Sequence, residues 1–196
     1  MMSMEKLSRN DLYSLEEYAQ ARTAFREKVL KHKRLRQVGI GEHMTLYFED
    51  RLTMQYQIQE MLRIERIFEA DAIEEELDTY NALIPDGDNL KATMMLEYTD
   101  VAARREALTQ LLGIEDQTWL AVEGCDKVYA IADEDLERAD ENKTSAVHFV
   151  RFQLDGKMIE KLRQGARLHA GCDHENYRAR TELAAESRDA LAADLS

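Results

Sequence analysis

Proline is nearly absent from this 196-residue chain, which has only Pro85, and glycine is sparse at eight. That shortage excludes collagen-like and linker-rich organisations and disfavours an all-β sandwich with its many tight turns. Cysteine is limited to Cys125 and Cys172, so at most one disulfide can form, and a chain of this length buries a core without one. A reduced, cytoplasmic location is the simplest expectation. No apolar run approaches the roughly 20 residues needed to cross a bilayer, and the stretch MMSMEKLSRNDLY lacks the apolar centre of a secretory signal. Basic residues are outnumbered 26 to 39, for a net charge of -13. Such a surface repels phosphate backbones and anionic lipid, which argues against nucleic-acid and membrane partners. Also missing are a nucleotide fingerprint, a zinc-finger spacing, a nucleophile elbow and a catalytic triad.

What is present reads as one domain over residues 1–196, with a helical front at 1–84 and a mixed rear at 90–196. Ser14 followed by Glu17 has capping-box spacing, and apolar residues then recur at helical intervals, predicting a first helix over 14–36. Gly39 and Gly41 break that pattern, and a short strand follows at Met44–Phe48. Met54, Ile58, Met61, Leu62 and Phe68 step by threes and fours, predicting a second, core-facing helix from Asp50 to about Ala70, with a short acidic helix over 71–81. Pro85 and Gly87 mark the clearest loop. Behind it the pattern predicts a strand at 90–98, a helix at 101–112 and a hairpin of 119–122 with 127–132. A strand at 145–154, a helix at 157–164 and a strand at 166–172 follow, and a carboxy-terminal helix spans 177–195. The fold class is α+β, with the helical front packed on a mostly antiparallel sheet.

The second helix carries unusual chemistry for a core element. Glu49, Gln57, Glu60 and Glu65 stand among apolar residues with Arg51 and Arg63, and Glu65 falls on the apolar stripe itself. A carboxylate there is costly unless paired. These residues either line a pocket for a metal or small polar ligand or form structural ion pairs with Arg51, Arg63 and Arg66; the second reading is the plainer one. Di-metal helical bundles draw on Glu-x-x-His pairs, and this helix has no histidine.

His169, Cys172 and His174 form an H-x-x-C-x-H cluster with the ligand types of a transition-metal site, but a second ligand pair is wanting. The alternative has Asp173 capping the last helix and His174 packing against it or hydrogen-bonding nearby. The basic run KVLKHKRLR at 28–36 is expected to be solvated or to face the acidic segment EADAIEEELD at 69–78.

FEDRLTMQYQIQEMLRIE at 48–65, YNALIP at 80–85, VHFVRFQL at 147–154 and DHENY at 173–177 together resemble the bacterial and archaeal family known as domain of unknown function 3501. The likeness covers nearly the whole chain. It implies a single family domain without an established catalytic activity. Its residue pattern includes Phe48, Glu49, Arg51, Gln57, Glu60, Met61, Arg63, Glu65, Asp173, His174 and Tyr177. Glu175 stands where the family commonly has proline, and His169 and Cys172 fall outside the pattern. Members are often encoded near rubrerythrin-like di-iron proteins and iron-sulfur oxidoreductases, which implies a cytoplasmic redox or oxidative-stress setting. The expected function is an accessory or binding protein of such a system, with the polar helix and the Asp173, His174, Tyr177 turn forming a shared surface. The alternative is a metal-dependent enzyme using Glu60 or Glu65 with His174.

Overall fold

The structure, a computed structural model, describes residues 5–196; the first four residues of the stretch read for a secretory signal lie outside them. Capping chemistry sets where the helices begin. Glu17 N donates to the Ser14 hydroxyl at 3.2 Å while the Glu17 carboxylate accepts from Ser14 N at 2.8 Å, and α1 (Leu15–Arg34) starts there. Carboxylates of Asp50, Asp100 and Asp155 cap α2 (Arg51–Glu65), α4 (Val101–Gln110) and α5 (Gly156–Arg163). The remaining helices are α3 (Ala70–Asn81) and α6 (Ala185–Ala192). No described helix is long and apolar enough to cross a membrane.

Two wholly antiparallel sheets complete the α+β fold. The first has β1 (Gln37–Ile40), β2 (Met44–Phe48), β3 (Asn89–Leu96), β7 (Val147–Gln153) and β6 (Ile131–Ala132), in that spatial order. The second runs β5 (Lys127–Tyr129), β4 (Thr118–Val122), β8 (Leu168–His174) and β9 (Tyr177–Glu182). Alternation gives each inner strand one buried side. Met44, Leu46, Phe48, Met94, Val150 and Phe152 of the first sheet meet Leu120, Val122, Leu168 and Ala170 of the second in the main core. A smaller apolar cluster, including Met54, Ile58, Leu62, Ile73 and Leu77, joins α2 to α3, and Tyr18, Phe25 and Val29 tie α1 to Leu52 and Tyr56.

Three expectations change. The stretch expected as one strand at 127–132 is two: β5 pairs with β4 in the second sheet, and the chain then crosses at Ala130 so that β6 pairs with β7 in the first. The carboxy-terminal helix does not begin at Tyr177. Residues 177–182 are β9, paired with β8 across a two-residue turn at Glu175 and Asn176, and helix resumes only at Ala185. The glycine-containing stretch after α1 is also a strand, β1, bonded along its length to β2. Fully buried His148 fixes the segment before β7: its Nδ1 is 2.5 Å from the Asp133 carboxylate and its Nε2 2.8 Å from the Thr144 hydroxyl.

Candidate functional site

The side of the first sheet away from the main core carries a cross-strand row, Tyr47 opposite Thr93 and Thr93 opposite Phe149. The end of α1, α2 and the end of α3 lie over this row and leave a cleft of about 450 Å³. Sheet residues Tyr47, Thr93, Met95 and Phe149 form one side; Met54 and Gln57 of α2, with Tyr80 and Leu83, form the other, and Lys33 reaches the lining from α1. That volume lies in the range of small-molecule sites.

Glu49 enters the cleft from the β2–α2 connection. Asp50 accepts from Thr53 N at 2.9 Å, and the Thr53 hydroxyl accepts from Asp50 N at 2.9 Å. The locked Thr53 hydroxyl then donates to Glu49 Oε2 at 2.6 Å, and the Thr93 hydroxyl donates to Oε1 at 2.9 Å. Beside this pair of hydroxyls runs a buried charge network. Arg36 donates to the backbone carbonyls of Phe48 at 3.0 Å and Glu49 at 3.2 Å, pairs with Asp194, and lies 3.4 Å from Asp50, which also meets His32 at 2.5 Å. Burial pushes the Asp194 carboxyl up to about 6, with Arg36 pulling the other way.

Of the polar site candidates read from the sequence, Glu49 and Gln57 line this cleft, together with Phe48 of the family pattern and Lys33 and Arg36 of the basic run; Arg51, Glu60, Arg63, Glu65, Asp173, His174 and Tyr177 do not. Glu60 faces α1 instead. Its carboxylate accepts from the Tyr18 phenol at 2.6 Å and from Arg22 at 2.8 and 3.0 Å, and the Arg22 guanidinium holds it below the usual carboxylate range. Arg51 bonds Asp11 at 2.5 Å and the carbonyl of Glu5 at 3.1 Å. Arg63 and Glu65 are exposed. The expected apolar-stripe position of Glu65 fails because α2 stops there: Arg66 takes the left-handed conformation at φ 55°, and Phe68 lies beyond the helix, exposed.

On the second sheet, strand alternation separates the H-x-x-C-x-H residues. Cys172 and His174 turn inward, whereas His169 faces the other way and meets Glu182 at 3.2 Å. No group of three His, Cys, Asp or Glu residues suited to a metal occurs among the described residues. Asp173 caps no helix. It sits within β8 and accepts from Lys127 at 2.7 Å and Tyr129 at 2.6 Å, and the Lys127 hydrogen bond lowers its pKa. His174 Nε2 meets the Leu112 carbonyl at 3.0 Å, and Tyr177 is bonded to the β1–β2 turn. Among the described residues the 28–36 run makes no ion pair with 69–78; Arg36 and His32 turn to Asp50, while Lys28, Lys31 and Arg34 are exposed.

The cleft residues Lys33, Tyr47, Tyr80, Thr93, Met95 and Phe149 come from five separate stretches of chain. Lys33 falls within the basic run at 28–36, and Tyr80 and Phe149 within the family stretches at 80–85 and 147–154, but none of those stretches by itself marks a cleft. The available signal was the alternation in β3 and β7, which places Thr93, Met95 and Phe149 on the side away from the core.

The model of a protein family of unknown function, DUF3501, matches residues 6–195. The chain belongs to the DUF3501 family. A solved member-like structure, a crystal structure described as a novel protein of unknown function from Burkholderia pseudomallei K96243, is similar with a TM-score of 0.93 and 49% sequence identity. The match covers 98% of this chain and 100% of that one. No curated protein matches. The DUF3501 match spans both the cleft and the second sheet, so it favours neither as the working site.

Proposed function

We propose that this DUF3501 protein is a binding protein whose working site is the cleft over Tyr47, Thr93 and Phe149. One observation carries the reading. Lys33, Gln57 and Tyr80 are half-buried members of the cleft lining, and their side chains have no hydrogen-bonding or ion-pairing partner among the described residues, the Lys33 ammonium resting over the Tyr56 ring. Arg51, Glu60, Asp173, His174 and Tyr177 are by contrast occupied by internal bonds. Unspent polar groups around an apolar enclosure are what a small-molecule site requires.

The setting we propose is the cytoplasmic redox or oxidative-stress context that the family resemblance implies. The protein would serve there as an accessory to an iron-sulfur oxidoreductase or a rubrerythrin-like protein. The metal-dependent alternative gains no support from the geometry, because among the described residues Glu60, Glu65 and His174 bond to different elements or to none.

A thermal-shift screen of amines, carboxylates, phosphates and neutral polar compounds tests the cleft, with Met95→Trp as the blocked control. Compounds that raise the melting temperature of the native chain and not of the blocked one support the reading. A screen in which no compound separates the two overturns it. Association with a purified iron-sulfur oxidoreductase or rubrerythrin-like protein, measured under reducing and oxidising conditions, tests the setting separately.

A further inference from the structure

Glu49 is a buried carboxylate with hydrogen bonds but, among the described residues, no ion-pairing partner. It is 8% exposed, and its two oxygens accept from Thr53 and Thr93. Among the described residues, no Lys, Arg or His nitrogen lies within ion-pairing distance of it. Arg36 touches only its backbone carbonyl and gives its charge to Asp194 and Asp50, and Lys91 pairs with Asp86 at 2.8 Å. A carboxylate removed from water is costly unless a positive charge answers it. Here it lines an open cleft. Each of its oxygens has a lone pair left after the threonine bond.

We infer that the cleft takes an organic cation, an alkylammonium or guanidinium group on an apolar stem, with the charge seated against Glu49. The inference rests on the cleft being the working site. The surroundings fit that chemistry. Tyr47 and Tyr80 offer aromatic rings, whose faces attract cations, and Met54, Met95 and Leu83 accept methylene groups. Lys33 sets a second rule. Its ammonium lies 5.5 Å from the Tyr56 ring centroid and makes no ion pair among the described residues, so it repels a second positive charge and attracts an anion. The ligand class is therefore a zwitterion of the ω-amino-acid kind, not a diamine.

Four compounds with the same five-carbon stem test this by calorimetric or NMR titration: δ-aminovalerate, pentylammonium, valerate and cadaverine. The expected order is aminovalerate first, then pentylammonium, with cadaverine and valerate weaker. Glu49→Gln, with folding checked by its melting curve, should weaken both favoured amines by about tenfold or more and leave valerate unchanged. Lys33→Met, outside the Glu49 network, should erase the preference for aminovalerate over pentylammonium. Valerate binding as tightly as pentylammonium to the native chain overturns the inference, as does amine binding that a folded Glu49→Gln protein retains in full. If other compounds bind in a way that Met95→Trp blocks while the amines do not, the charge assignment falls and the cleft stands. If nothing binds, both fall.

Discussion

The phenol of Tyr177 donates to the backbone carbonyl of Ile40 at 2.6 Å and accepts from the N–H groups of His43 and Met44, both at 2.9 Å. One side chain of the second sheet thereby closes the turn between β1 and β2 in the first. Tyr177→Phe leaves all three backbone groups without this partner and should lower stability by on the order of 2 kcal/mol. Gly41, in the same turn at φ 68°, has no room for a side chain: an added Cβ would lie 2.8 Å from the Tyr177 oxygen. Gly41→Ala should therefore destabilise through both backbone conformation and crowding, and the double variant should be less impaired than the two costs summed. Urea unfolding of the four proteins measures this.

Asp194 gives the chain a stability term opposite in sign to that of an ordinary ion-paired carboxylate. Its folded pKa, about 6, lies above the 3.8 of a free carboxyl because burial outweighs Arg36. The native state thus holds the extra proton. The contribution is full below 3.8 and is lost as pH rises through about 6. The stability of the native protein minus that of Asp194→Asn should fall across this window by roughly 3 kcal/mol. Denaturant titrations at a series of pH values would show it; a flat difference would refute the assignment.

Glu60 is a structural anchor between α1 and α2. Glu60→Ala strands the Tyr18 hydroxyl and the Arg22 guanidinium, and should cost about 1–3 kcal/mol in stability. Ligand binding in the cleft should not change. A Glu60→Ala protein of native stability that had lost binding would return Glu60 to the working site.

Cys172 is shielded on the inward side of β8, and burial raises its thiol pKa. Cys125 is partly exposed. Iodoacetamide should label Cys125 in the native protein and reach Cys172 only on unfolding, as peptide mass mapping can follow. Rapid native labelling of Cys172 would contradict the burial that separates it from His169.

Helices with a cap and a period were readable from the sequence. Ser14 with Glu17, and Asp50 ahead of Met54 and Ile58, fixed two helix starts because both signals are local. Residues 177–182 misled because Tyr177, Ala179 and Thr181 alternate weakly with charged residues in a half-exposed edge strand, while no glycine or proline marks the turn before it. The decisive partner of that strand is β8, and its pairing is tertiary information. Glu65 misled for a different reason. Its apolar neighbours continue past a helix end that Arg66 creates without glycine. In the cleft, Glu49 and Gln57 were legible as polar residues on a core element, but that the Glu49 carboxylate has no ion pair among the described residues depends on Arg36 turning its charge to Asp194, 158 residues away in sequence.

Because a single peptide stretch leaves one sheet at Tyr129 and enters the other at Ile131, the two layers are stitched by a covalent hinge at Ala130. Sliding one layer over the other would have to tear pairing on both sides of that stitch. The amides of β5 and β6 should consequently exchange with deuterium as one cooperative unit, despite belonging to different sheets.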